Sequence, residues 1–274
     1  MHALTTIPAK YIILVFTGIT LVSMSIGIIP IEVMVLLAGF GVLLYFYPRL
    51  IQNEKYIKAT CVWLGVVLFG LAIGLYRPDN FNYPLILDAV ILHDKGNEYS
   101  LYFNTGKTIA GYMALCFLFI LPALGKPYIL LTTTRIVAVA VIPLAVLLLA
   151  YFSLDLNFYF KNLNYILLFG AINLLATCVS EEAFMRLIFQ KEIGRLLGVY
   201  CRKPLVGESI SLLLTTLLFT GTHIGPSLDI TIVYAIAGFS YGLIYVLTKS
   251  IWYSIFCHFA VNILHFSLLT YPII

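Results

Sequence analysis

The sequence predicts an all-α, polytopic transmembrane helix bundle of about eight or nine helices. Three observations carry this. Hydrophobic residues make up 62% of the 274, charged residues only 10%, and the mean hydropathy is +1.02. Apolar runs bounded by charge or turn residues occupy about 11–29, 31–47, 59–76, 108–125, 136–154, 165–190, 209–225, 230–248 and 251–272. Each run approaches the roughly 17–25 residues that cross a hydrocarbon core as helix, and none shows the short alternating pattern of barrel strands. So few charges cannot form the polar shell of a soluble enzyme, and the composition equally excludes a disordered chain and a nucleic-acid-binding domain.

The elements follow in order. Runs 11–29 and 31–47 are separated only by Pro30, which predicts a tight or shallow hairpin and leaves the helix count open by one. The first run has no strongly basic flank and no A-x-A site, so it reads as a retained helix rather than a removed signal peptide. Between the third and fourth runs lies the longest loop, 77–107, with Asp79, Asp88, Asp94 and Glu98 among Asn and Tyr. It is expected to form a small ordered cap. Segment 191–208 carries Ile193, Leu196, Leu197 and Tyr200 at helical spacing between basic residues. That pattern predicts an amphipathic helix lying on anionic lipid, with a solvated loop as the alternative. The five cysteines, Cys61, Cys116, Cys178, Cys201 and Cys257, have no metal-type spacing.

Lysine and arginine set the expected orientation. In a nine-helix chain, Lys10, Arg49, Lys55, Lys58, Lys126, Arg135, Lys191, Arg195, Arg202, Lys203 and Lys249 fall on the N-terminal side. Arg77, Lys95, Lys107 and Lys161 fall on the other. The N-terminus is therefore expected in the cytoplasm and loop 77–107 outside. Short loops and the absence of targeting signals point to a prokaryotic inner or plasma membrane.

Ionisable side chains inside a membrane are costly and mark function. Here they cluster in three of the last four runs. The first cluster is Glu181-Glu182-Ala183-Phe184-Met185-Arg186. Glu182 and Arg186 are i, i+4 neighbours and can pair, whereas Glu181 is rotated about 100° away and is left free. A free, desolvated carboxylate suits a general base; ordinary charges at an emerging helix end are the alternative. The second cluster is Phe219-Thr220-Gly221-Thr222-His223, where His223 is either functional or a satisfied helix-end residue. The third holds His258 and Asn262, i, i+4 on one face. They form either an oxyanion-binding pair or a polar staple between helices. His265 reads as structural. Glu181, His223 and His258 also make a possible zinc set, although no HExxH is present.

Counted from the cytoplasmic end of each run, Glu181 is about nine residues deep, His258 about eight and His223 about fourteen. At ~1.5 Å per residue the spread is about 9 Å, which tilt or a break at 221–226 has to close.

EExxxR, then FxxxH, then HxxxN, in that order in apolar helices, resembles the CAAX protease and bacteriocin-processing family, also called Abi, of glutamic-type intramembrane proteases. The resemblance covers roughly 165–265, and Gly238 and Gly242 on the linking helix fit it. It implies an intramembrane endopeptidase in which Glu181 and His223 activate a water. His258 and Asn262 would polarise the scissile carbonyl and hold the oxyanion, and Glu182 and Arg186 would shape the site. It implies no cofactor, membrane lipid as surroundings, and a C-terminally anchored protein or peptide as substrate, as for bacterial members that sort such anchors. On this reading residues 161–274 form the protease core and residues 1–160 are transmembrane helices of unassigned role. A proton-coupled carrier, and a non-catalytic peptide-binding or immunity protein, are the competing functions.

Overall fold

The computed structural model describes residues 9–92, 98–123, 132–201 and 203–271. Asp94, Lys95, Lys126 and Arg202, used above for the loop and the charge balance, lie outside them, as does the side chain of Tyr200. Among the described residues there are nine helices, one for each apolar run. They are α1 (Ala9–Ser25), α2 (Ile31–Gln52), α3 (Tyr56–Leu75), α4 (Thr105–Leu115), α5 (Thr133–Ser153), α6 (the long helix beginning at Leu163), α7 (Pro204–Thr222), α8 (Leu228–Thr248) and α9 (Ile251–Leu268). Seven are long and apolar enough to cross a membrane, and Lys10–Ser25 and Thr105–Ile120 are shorter apolar helices. Lipid offers the backbone no hydrogen bonds, so such segments must satisfy their own as helices. The chain is thus an all-α, multi-pass membrane protein.

The helix ends follow local chemistry. The turn between α1 and α2 is tight: Gly27 takes φ +76°, a conformation that costs glycine little, and Pro30 stands before the first turn of α2. Asn104, Asn162 and Ser227 cap α4, α6 and α8 by accepting the backbone N–H groups of Lys107, Asn164 and Ile230. Pro204 opens α7, where its missing N–H costs nothing.

Contacts divide the chain into two compact units. The first contains α1–α4 and the stretch Val179–Ile188 of α6. Its α2 buries Val33, Leu37, Phe40, Gly41, Leu44 and Tyr47, one stripe at helical spacing. Gly39 lies against Phe69, and Gly70 against Phe184. The Trp63 indole N–H donates to the Ile188 carbonyl at 2.6 Å.

The second unit contains α5, α7–α9 and the rest of α6, with the expected cap resolved as a hairpin of β1 (Leu85–Ile91) and β2 (Glu98–Tyr102). Tyr99 of β2 packs on Phe266 and Tyr271, and Phe266 stacks on Phe169 at 3.9 Å. Residues 157–161 run antiparallel to 267–270, where Tyr159 N–H reaches the Leu268 carbonyl at 2.8 Å and Thr270 N–H the Asn157 carbonyl at 2.9 Å. Lys161, expected as a loop charge, is instead 2% exposed and donates its ammonium to the Leu269 carbonyl. Burial lowers its pKa from the ordinary 10.5 to about 8. The unfolded chain therefore takes up this proton at a higher pH than the fold does. The stability tied to the neutral amine is complete above about pH 10.5 and is lost as the pH falls through about 8. A thermal melt series should show stability rising between those limits, and Lys161→Met should flatten the rise.

Within segment 191–208 the expected amphipathic helix is present as Lys191–Cys201, running on directly from the preceding stretch of α6, and α7 begins at Pro204. Glycines set how it meets α7. A Cβ on Gly207 would lie 2.9 Å from the Gly194 carbonyl oxygen and 3.0 Å from the Gly198 nitrogen. The two backbones are in close contact, as small residues at three-residue intervals allow. Glu192 is buried there and accepts from Arg195 at 2.7 Å.

Candidate active site

The site residues begin on α6, which is not a uniform α-helix. Leu163–Ile172 gives way to a π-helical stretch, Asn173–Cys178. A short α-helical turn, Val179–Glu182, follows, then a second π stretch, Ala183–Gln190, before Lys191–Cys201. Wider π turns align residues five apart and occur mostly at functional positions. The Cys178 thiol accordingly donates to Asn173 Oδ1 at 3.1 Å, five residues back. Asn173, Ser180, Glu182, Arg186, Gln190 and Glu192 are all buried, a polar line through an otherwise apolar helix.

In the first unit, the predicted Glu182–Arg186 pair is present. Arg186 Nε donates to Glu182 Oε2 at 2.7 Å, and both side chains are 0% exposed. Glu181 points elsewhere, as its rotation required, but it is not free. Lys107 Nζ donates to Glu181 Oε1 at 2.5 Å, with the side chains 28% and 11% exposed. The expectation of an unpaired Glu181 is therefore corrected, because its partner comes from a helix 74 residues earlier in the chain. Two local features bring Lys107 there. Asn104 Oδ1 caps the Lys107 N–H at 3.0 Å and starts α4 at that point. One turn on, Gly111 passes so close to α6 that a Cβ would lie 2.5 Å from Ser180 Cα.

In the second unit, the expected break is real. α7 ends at Thr222, and His223 is its C-cap, with φ −129° and ψ 32°. His223 Nδ1 lies 2.9 Å from the Phe219 carbonyl oxygen and 3.1 Å from Thr222 Oγ1. Against a carbonyl, Nδ1 must carry the proton, which makes Nε2 the basic nitrogen of the neutral ring. His223 stacks on Phe219, centroids 4.2 Å apart, and His258 meets Phe219 edge-on at 6.0 Å. The two histidines thus share one aromatic side chain. His258 is buried and stacks on Tyr241 at 4.4 Å. Asn262 donates through Nδ2 to Asn173 Oδ1 at 3.3 Å and lies 3.9 Å from Cys178 Sγ. This contact orients the Asn262 amide.

Gly238 explains how Phe219 fits between the rings. A Cβ there would stand 2.5 Å from Phe219 Cδ1. Gly238→Ala should therefore displace Phe219 and both histidines, at an overpacking cost of about 1–3 kcal/mol. A lowered melting temperature together with lowered activity is the expected result. Gly242, the second glycine of this pair, presents its carbonyl to Gln190 Nε2 at 3.1 Å.

Lys107, Asn173 and Tyr241 were not singled out from sequence. A lysine at the edge of an apolar run is indistinguishable there from a snorkelling surface charge. Among the described residues, no three His, Cys, Asp or Glu side chains are grouped to hold a metal ion. His265 lies in the aromatic cluster against Tyr271.

Residues 163–264 match the family model described as type II CAAX prenyl endopeptidase Rce1-like. The matched stretch spans Glu181, Glu182, Arg186, His223, His258 and Asn262. No curated protein and no solved structure matches the chain.

Proposed function

We propose, from the match of residues 163–264 to the type II CAAX prenyl endopeptidase Rce1-like family model, that this chain hydrolyses a peptide bond near the membrane end of a C-terminally anchored protein or peptide. Water adds to the scissile carbonyl carbon and gives a proton to Glu181, assisted by the basic nitrogen of His223. His258 and Asn262 donate to the oxyanion of the tetrahedral intermediate. The proton passes to the amide nitrogen, the C–N bond breaks, and a carboxylic acid and an amine leave. Glu182 and Arg186 hold α6 in register behind Glu181 and do not touch substrate. The observation that carries this reading is the grouping of His223 and His258 around Phe219, inside the segment matched to the family.

Lys191, Arg195, Lys203 and Lys249 gather toward one end of the second unit, where Lys249 pairs with Glu208 at 2.7 Å. On the positive-inside rule we assign that end to the cytoplasm, and the charge distribution of the sequence supports a cytoplasmic N-terminus in a prokaryotic cell membrane. The partners are membrane lipid and the anchored substrate, with no nucleic acid.

The test uses purified protein in lipid nanodiscs with internally quenched peptides of two kinds, a farnesylated CAAX peptide and single-span anchored peptides with basic tails. Chelator-resistant cleavage that disappears in His223→Ala supports the proposal. Cleavage restored by zinc after chelation would instead make Glu181, His223 and His258 a metal set. Proton-coupled flux without a peptide product would favour a carrier. Binding of the peptides without cleavage would favour a scaffold or immunity protein.

A further inference from the structure

The Lys107–Glu181 pair is a strong polar contact at the site that the sequence motifs do not account for. Lys107 lies outside the matched residues 163–264. Its placement is nonetheless built. Asn104 sets the start of α4, and Gly111 admits α4 to backbone contact with Ser180, the residue beside Glu181. With the start and the crossing point of α4 both fixed, Lys107 is directed at Glu181, 2.5 Å away.

We infer that Lys107 is a positioning residue for the proposed hydrolysis, fixing both the orientation and the anionic state of the Glu181 carboxylate. The inference rests on the reading of Glu181 as the proton acceptor. A carboxylate 11% exposed among apolar helices has little water to stabilise its charge. Without a counter-ion such a group takes up a proton, and a carboxylic acid cannot accept another from water. The Lys107 ammonium, 2.5 Å from Oε1, supplies the charge that keeps the carboxylate in the form that can act. The same bond restricts its rotamers, and misplacement by about 1 Å can cost roughly 100-fold in rate. Lys107 does not need to touch substrate for either effect.

The charge of Glu181 can be read without any substrate. In full-length protein in nanodiscs at neutral pH, the infrared band lost in Glu181→Gln belongs to this carboxyl group. It should lie in the carboxylate region in wild type and in Lys107→Arg, and move to the protonated carbonyl region in Lys107→Met. A band that stays carboxylate in a folded Lys107→Met protein overturns the proposal. If Lys107→Met does not fold, Lys107→Gln, which keeps a donor but no charge, serves the same comparison. With the farnesylated CAAX peptide as probe, Lys107→Met should lower kcat about 100-fold with KM little changed, and Lys107→Arg should recover most of the loss. Unaltered kcat in Lys107→Met also overturns it. A band that shifts while wild type cleaves neither peptide class would leave the control of Glu181 by Lys107 standing and remove the hydrolase reading.

Discussion

Glu181→Gln should abolish the proposed peptide-bond hydrolysis and leave the protein folded. Glutamine matches glutamate in size and still offers the Lys107 ammonium an oxygen to replace the 2.5 Å contact of Glu181 Oε1. What it cannot do is accept a proton. Loss of a positioned general base costs about 100- to 10,000-fold, and a weak peptidase would fall below detection. The measurement is cleavage of a quenched peptide by wild type and variant at equal loading, with thermal unfolding as the control for fold. A variant that retains more than about a tenth of wild-type turnover would remove Glu181 from the chemistry. The contrast with His223→Ala is informative. Its ring stacks on Phe219, so that substitution also removes packing and should lower stability as well as rate.

The second large effect concerns stability. Glu182 and Arg186 are both 0% exposed, in contact at 2.7 Å. Removing one partner takes from the other its buried counter-charge, at a cost of about 3–5 kcal/mol. Arg186→Met and Glu182→Leu should each yield poorly folded protein, seen as lost expression or a collapsed melting transition. The double substitution removes both charges and should recover much of that loss, since a buried ion pair replaced by apolar side chains is often close to neutral. If the double variant is as unstable as the singles, the pair is not what matters at these positions. If it folds but does not cleave, Glu182 and Arg186 set the geometry of Glu181 beyond holding α6 together. A thermal series of the four proteins separates these outcomes.

The helix-by-helix architecture was legible because it is dictated by solvent. Every apolar run corresponds to a helix, since a chain in lipid has no other way to satisfy its backbone over such lengths. The Glu182–Arg186 pair was equally legible, because an i, i+4 spacing on one helix needs no tertiary information. The break at His223 was visible in Gly221, Gly225 and Pro226, which interrupt helix propensity locally. The π stretches were not visible. They are a property of the backbone, and the same residues would read as regular α-helix.

What the tertiary structure alone decided depends on residues far apart in the chain. Loop 77–107 was expected as a cap, but its hairpin is defined by Tyr99 packing on Phe266 and Tyr271. Segment 191–208 carried the amphipathic spacing of a surface helix. Backbone contact of Gly207 with Gly194 and Gly198 packs it on α7, a pairing its own pattern does not reveal. Glu181 was free on the pattern of its own helix and paired once α4 crossed at Gly111. Asn262 meets Asn173, 89 residues earlier, through its amide, a partner no local pattern names. The sequence by itself determined which segments must be helical, where ionisable side chains stand in them, and which family the last two fifths of the chain resemble. Only the tertiary structure decided which charge meets which, because hydropathy specifies burial but carries no information about the partner across a helix interface.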